Sequence, residues 1–231
     1  MQPTKITHHH LPIEGGALPL TIARAEGRGA AVVILPSAFG IARDLESQMQ
    51  ELSADARIVV AFDPFFRTDP GPAPYEDMAR VMARLQSVDP GRLYRDLRAT
   101  IDWVRGEAKG RPVVMLGICF GGPYALRAAA DGAVDGVVTW HGTFLEKHLG
   151  RAAEMCCPMR HHFGGVDPFV PASAVEAVRV AFAGREDVRI VVHEGATHGF
   201  SHRSAVKAYD ERAERGGMDS LREMLGGVSG G

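Results

Sequence analysis

The feature that most constrains the fold is an alternation of short apolar runs with longer amphipathic ones. Ala30–Leu35, Ile58–Phe62, Pro112–Gly117, Gly136–Trp140, Pro158–Gly164 and Val188–His193 are short, largely apolar and rich in β-branched residues. Runs of this kind suit strands covered on both faces. Between them, Arg43–Ala54, Tyr75–Gln86, Pro90–Arg105, Gly122–Ala130 and Pro171–Ala183 have helical length and periodicity. Ser204–Met224 reads as a closing helix, stopped by Gly226-Gly227. The alternation implies a mostly parallel, doubly wound α/β sheet with helices on both faces, and an edge strand around Leu18–Arg24 precedes it. The chain of 231 residues shows no internal repeat and no break in composition. One domain over residues 1–231 is therefore expected, with residues 1–17 and the tail 226–231 peripheral and the tail disordered.

In open parallel sheets, ligands and reactive groups gather at the carboxyl ends of the strands. The residues to inspect are thus Pro36-Ser37-Ala38, Asp63, Cys119, His141, Asp167 and His198. Cys119 sits in Gly117-Ile118-Cys119-Phe120-Gly121-Gly122, directly between an apolar run and a helix-compatible one. Strand, Gly-x-nucleophile-x-Gly and helix is the layout of a nucleophile elbow, with cysteine in place of the usual serine. The tight turn admits only small residues two before and two after the nucleophile, and glycine tolerates its dihedrals. The positive end of the following helix favours a thiolate there, which predicts an ionic Cys119–His198 pair near neutral pH.

A thiol nucleophile needs a base, and the base needs an orienting group. Among ten histidines, His198 stands between the last strand and the last helix, where a loop can carry an imidazole over the sheet edge. Asp167 follows another strand in a loop stiffened by Pro168 and Pro171. Cys119, Asp167 and His198 thus appear in the order nucleophile, acid, histidine, each after its own strand, as in α/β-hydrolases. The competing readings are ordinary ones: a buried structural cysteine, a turn aspartate ahead of a helix, and a packing histidine.

Other signals argue against other functions. A formal charge of −2 gives no reason to expect a nucleic-acid or acidic-membrane partner. The longest apolar runs are far too short for a membrane span, and the polar start lacks a signal-peptide core, so a cytoplasmic protein is expected. Three cysteines, two of them the adjacent Cys156-Cys157, make no disulfide framework. His8-His9-His10 lacks a second cluster at ligand spacing and reads as a solvated terminal segment rather than a metal site. Trp140-His141-Gly142 could line a pocket or simply pack. No phosphate-binding glycine loop stands in the right context, so no nucleotide, metal or other cofactor is expected.

Gly117-Ile118-Cys119-Phe120-Gly121-Gly122, Gly165-Val166-Asp167-Pro168-Phe169-Val170-Pro171 and His198-Gly199-Phe200 closely resemble the dienelactone hydrolase family. Pro36-Ser37-Ala38-Phe39-Gly40 and Asp63-Pro64-Phe65-Phe66 resemble its landmarks too, and the likeness runs from about Ala30 to the end. The resemblance implies an α/β-hydrolase domain without a lid and a Cys119–His198–Asp167 triad acting on a small ester or enol lactone through an acyl-thioester. It places the oxyanion hole on the backbone N–H groups of Phe120 and Ala38. The chain departs from the family at Ser37, where a glutamate is usual, and the family's arginine for a substrate carboxylate is missing after the histidine. Ser37, Arg80 and His202 are the candidate substrate-binding residues, with Arg84 and Arg203 as further sources of positive charge. A non-hydrolytic binding or redox-sensing protein, or an acyltransferase, remains as an alternative, and a monomer or small homo-oligomer is expected.

Overall fold

The computed structural model describes residues 4–24 and 29–229. Its strands are β1 (Ile6–Ile13), β2 (Gly16–Ala23), β3 (Ala31–Leu35), β4 (Ile58–Phe62), β5 (Val113–Ile118), β6 (Gly136–Trp140), β7 (Met159–Gly164) and β8 (Val188–His193). The helices are α1 (Arg43–Leu52), α2 (Met78–Ser87), α3 (Pro90–Glu107), α4 (Gly122–Ala130), α5 (Ala172–Ala181) and α6 (Glu211–Ser229). The eight strands form a single sheet in the order β1-β2-β4-β3-β5-β6-β7-β8. The β1–β2 and β2–β4 pairs are antiparallel, and every other pair is parallel.

Strands β3, β4, β5 and β6 are buried throughout, which matches their unbroken apolar sequence. Alternate residues serve opposite faces. Val33, Leu35, Val60, Phe62 and Met115 meet Leu97 and Ile101 of α3 and Leu126 of α4. Val32, Ile34, Val59, Val114, Leu116 and Val138 meet Leu45 and Met49 of α1 and Leu221 of α6. Helix α3 starts where its sequence says: Asp89 accepts from Arg92 N–H at 2.8 Å and Pro90 occupies the first turn.

Three local expectations are corrected. Residues 6–13, expected as a peripheral, solvated terminal segment, form strand β1, whose full register with β2 makes it the sheet edge in place of β2. Its histidines at 8, 9 and 10 are exposed, and the ring of His9 stacks on Trp103 at 5.0 Å. The last helix begins at Glu211 rather than Ser204, because the Asp210 carboxylate accepts from Ala213 N–H at 2.9 Å and starts it there. Gly226-Gly227 does not stop that helix or begin a disordered tail; α6 continues to Ser229, and Gly230 and Gly231 lie outside the described residues. Among the described residues, no helix is long and apolar enough to cross a membrane.

Candidate active site

Cys119, Asp167 and His198 come together beyond the carboxyl ends of β5, β7 and β8. His198 Nε2 lies 3.2 Å from Cys119 Sγ, and its Nδ1 lies 2.7 Å from Asp167 Oδ2. The Asp167 side chain is fully shielded from solvent and that of His198 is 16 % exposed. The second oxygen of Asp167 accepts from Phe169 N–H at 2.8 Å, so the carboxylate is held at both ends. The ring of Phe169 covers His198 edge-on at 5.0 Å.

The turn that presents the thiol is as tight as its glycines suggest. Cys119 has φ 55°, a left-handed conformation that costs a non-glycine residue about 1–3 kcal/mol. Thr143 N–H donates to Cys119 C=O at 3.2 Å and helps to hold it there. A β-carbon on Gly117 would stand 2.6 Å from the carbonyl oxygen of Gly121. One on Gly121 would stand 2.5 Å from that of Leu35, and one on Gly122 would meet Leu145 at 2.8 Å. A side chain at Gly117 would force the turn itself open, and one at Gly121 or Gly122 would push it away from β3 or from the segment after β6.

The proton balance of the pair is set by opposing forces on His198. Burial pulls its pKa down, but the bonds to Asp167 and Cys119 outweigh this and push it up to about 10. An imidazolium facing the sulfur is the arrangement that results at neutral pH. His141 behaves in the opposite way. It is wholly buried at the end of β6 with φ 38°, and burial, followed by the neighbouring His198 and His202, holds it well below the usual histidine range. Its Nε2 is 2.9 Å from Ser201 Oγ, and its ring meets that of His198 edge-on at 4.8 Å. The sequence marks His141 only by its place after a strand, and nothing in it singles out Ser201.

The remaining candidates divide. Ser37 is buried, and its Oγ accepts from Phe39 N–H at 3.4 Å. His202 lies beside the pair, against His141, Phe39 and Tyr75. Burial pulls its pKa down to about 4 against the pull of Asp44, so it supplies no positive charge at neutral pH. Arg80 is not available as a free cation either, since its Nε and Nη2 donate to Asp69 at 2.6 and 2.7 Å. Arg203 is bound to Glu51 and Glu214. Arg84 is fully buried, with Nε on Asp69 Oδ2 and Nη2 on the carbonyls of Asp69 and Gly71. Each arginine named as a source of charge is held by a carboxylate, although Arg80 and Arg84 share the single Asp69 and only Arg203 has two acidic partners.

Comparisons with known proteins agree with this architecture. The chain is 30 % identical over 186 residues to a carboxymethylenebutenolidase of Pseudomonas putida, covering 78 % of this chain and 79 % of that protein. It is 27 % identical over 206 residues to the carboxymethylenebutenolidase of Pseudomonas sp. strain P51, covering 87 % and 86 %. Its fold is similar to that of a dienelactone hydrolase from Anabaena variabilis, with TM-score 0.74, 16 % identity and coverage of 99 % and 100 %. It is also similar to a dienelactone hydrolase-like promiscuous phosphotriesterase from metagenomic libraries, with TM-score 0.80, 20 % identity and coverage of 98 % and 99 %. Residues 19–228, most of the sheet and all of the site, match the dienelactone hydrolase family, and the chain is an ester or lactone hydrolase belonging to that family.

Proposed function

We propose that Cys119, His198 and Asp167 act as a catalytic triad that hydrolyses small esters or enol lactones through an acyl-thioester. The observation that carries this reading is the continuous chain from Sγ through the imidazole to a shielded carboxylate, at 3.2 and 2.7 Å. The sulfur, facing a protonated His198, attacks the carbonyl carbon, and the carbonyl electrons move to oxygen. Collapse of the tetrahedral intermediate expels the alkoxide or enolate, which takes the proton from His198 Nε2. Neutral His198 then draws a proton from water as the water attacks the thioester, and the acid leaves while the sulfur returns to its resting state. Asp167 keeps Nε2 turned toward the sulfur and stabilises the imidazolium in both halves of the cycle.

The oxyanion is assigned to the backbone N–H groups of Phe120 and Ala38. Strands β3 and β5 are direct neighbours, with Leu35 paired to Gly117. The loop carrying Ala38 and the turn carrying Phe120 therefore leave the sheet side by side. Each such donor is worth about 3–4 kcal/mol of barrier. Phe120 also lines a largely apolar hollow of about 290 Å³ with Tyr124, Thr143 and Phe144, to which Arg127 and His148 add polar groups. Arg80, Arg84 and Arg203 are held by carboxylates, and the cation that lines the hollow is Arg127, which lies over the ring of Tyr94.

A panel of p-nitrophenyl esters and unsaturated lactones tests the reading, with intact-mass measurement during turnover. The expected result is catalytic release of acid and a transient acyl adduct on Cys119. No turnover with any neutral ester, or turnover surviving in Cys119→Ala, would overturn it. Acyl groups recovered on an added alcohol or amine instead of water would identify a transferase.

A further inference from the structure

Around the thiol stands a second donor that the hydrolytic cycle does not use. Cys119 Sγ and one ring nitrogen each of His141 and His198 lie within 4.8 Å of one another. The Asp167 carboxylate binds His198 Nδ1, so Nε2 is the nitrogen turned toward the sulfur. Ser201 Oγ binds His141 Nε2, while His141 Nδ1, wholly buried, makes no hydrogen bond among the described residues. A buried imidazole nitrogen without a partner is uncommon, because desolvating it is unfavourable unless something compensates. An Nε2–H donating to Ser201 leaves a lone pair on Nδ1, which is the less costly tautomer for a group lacking an acceptor nearby.

We propose that Cys119, His141 and His198 form a reversible binding site for a thiophilic divalent cation such as Zn²⁺, which switches the thiol off by occupying it. Thiolate and imidazole are the ligand types such an ion prefers, and three protein ligands leave a fourth position for water. Asp167 on His198 and Ser201 on His141 supply the outer hydrogen bonds that fix ligating imidazoles in orientation. Tetrahedral zinc holds such ligand atoms roughly 3.3–3.6 Å apart, so the set, now within 4.8 Å, closes by about an ångström on binding. Binding forms one S–metal and two N–metal bonds and releases the proton held between Cys119 and His198 to solvent; no electrons are transferred. Substrate and metal then compete for the same sulfur.

The test measures metal binding without any substrate, so it stands apart from whether the protein hydrolyses esters. Zn²⁺ is titrated against a chromophoric chelator, and Co²⁺ is added as a spectroscopic probe. The expected result is one tight equivalent, a thiolate-to-cobalt charge-transfer band in the near ultraviolet, and at least a tenfold loss of affinity in His141→Phe. Cys119→Ala should lose both the tight equivalent and the band. Absence of the band in the wild-type protein overturns the proposal without reliance on any variant. A correctly folded His141→Phe protein, checked by circular dichroism, that binds zinc as tightly as wild type also overturns it.

Discussion

Asp167 Oδ2 and His198 Nδ1 are 2.7 Å apart, and the carboxylate is completely shielded from water. A shielded carboxylate fixes both the tautomer and the charge of the imidazole it binds. Asp167→Asn keeps the shape but offers no charge, and its amide can turn an N–H toward the ring. The variant should lower kcat on a p-nitrophenyl ester by on the order of 10³-fold, with little change in KM. The pKa of His198 should fall from about 10 toward its ordinary value, which histidine NMR can follow. Near-normal kcat in a folded Asp167→Asn protein would remove Asp167 from the triad.

The elbow makes a separate prediction about stability. Gly121→Ala places a methyl group 2.5 Å from the carbonyl oxygen of Leu35, a backbone atom in the middle of the sheet. Neither the end of β3 nor the tight turn before α4 can yield cheaply, so the loss should be about 3 kcal/mol. Gly150→Ala is the control, since nothing lies within 4 Å of the added carbon. Denaturant unfolding of the two variants should separate them clearly. Equal midpoints would mean that the elbow is looser than its contacts imply.

The parallel core and the meeting of Cys119, Asp167 and His198 were legible in the sequence for the same reason: both follow from local pattern. Buried strands such as Ile58–Phe62 need unbroken apolar runs, and a nucleophile on a tight turn needs Gly117 and Gly121 around it. Strand β1 was not legible, because an edge strand with His8, His9 and His10 exposed has little apolar periodicity to display. The start of α6 was missed because helical composition extends back to Ser204, whereas the actual boundary is set by one side chain, Asp210. The roles of Arg80 and His202 depend on who sits opposite. Asp69, shared with Arg84, holds the first, and burial among Phe39, Tyr75 and His141 discharges the second. Such pairings are tertiary and leave no mark at either position.

Buried neutral histidines away from the thiol predict acid sensitivity. Burial pushes His161 down to about 4, and burial followed by the nearby His193, His161 and Arg160 pushes His162 to about 3. Both take up protons on unfolding at the ordinary value of 6.5. Their contribution to stability is therefore present above about pH 6.5 and lost as pH falls toward their folded values. The two together should remove roughly 3 kcal/mol between about pH 6.5 and 5. His198 works in the opposite sense: raised to about 10, its contribution declines progressively as pH rises from 6.5 to about 10 and is nearly constant below pH 6.5, the range of the acid effect. It cannot mask the acid effect. Unfolding free energies measured at about pH 7.5, 6.5, 5.8 and 5 check this, and a flat profile over that range would contradict the buried neutral assignment.

Arg84 ties the proline-rich loop to the loop after β3, and this joins stability to catalysis. Its Nη2 donates to the carbonyls of Asp69 and Gly71 at 2.7 and 2.6 Å, and its Nη1 reaches Ala38 C=O at 3.4 Å. The guanidinium lies 5.0 Å over the ring of Phe65. Replacing it leaves the part-buried carbonyls of Asp69 and Gly71 and the buried one of Ala38 without this donor, at about 1–3 kcal/mol each where water cannot enter. Arg84→Met should therefore unfold several kcal/mol more easily, on the order of 3 kcal/mol. Arg84→Lys should be intermediate, since an ammonium keeps the charge but cannot reach along separate arms of a planar fork. Arg80→Met, at the solvent-facing side of the same Asp69, should have little effect on either property. Because Ala38 is the proposed second oxyanion donor, Arg84→Lys should lower kcat more than it raises KM. If Arg84→Lys and Arg80→Met prove equal in both unfolding and ester turnover, the clamp is not what positions the loop that carries Ala38.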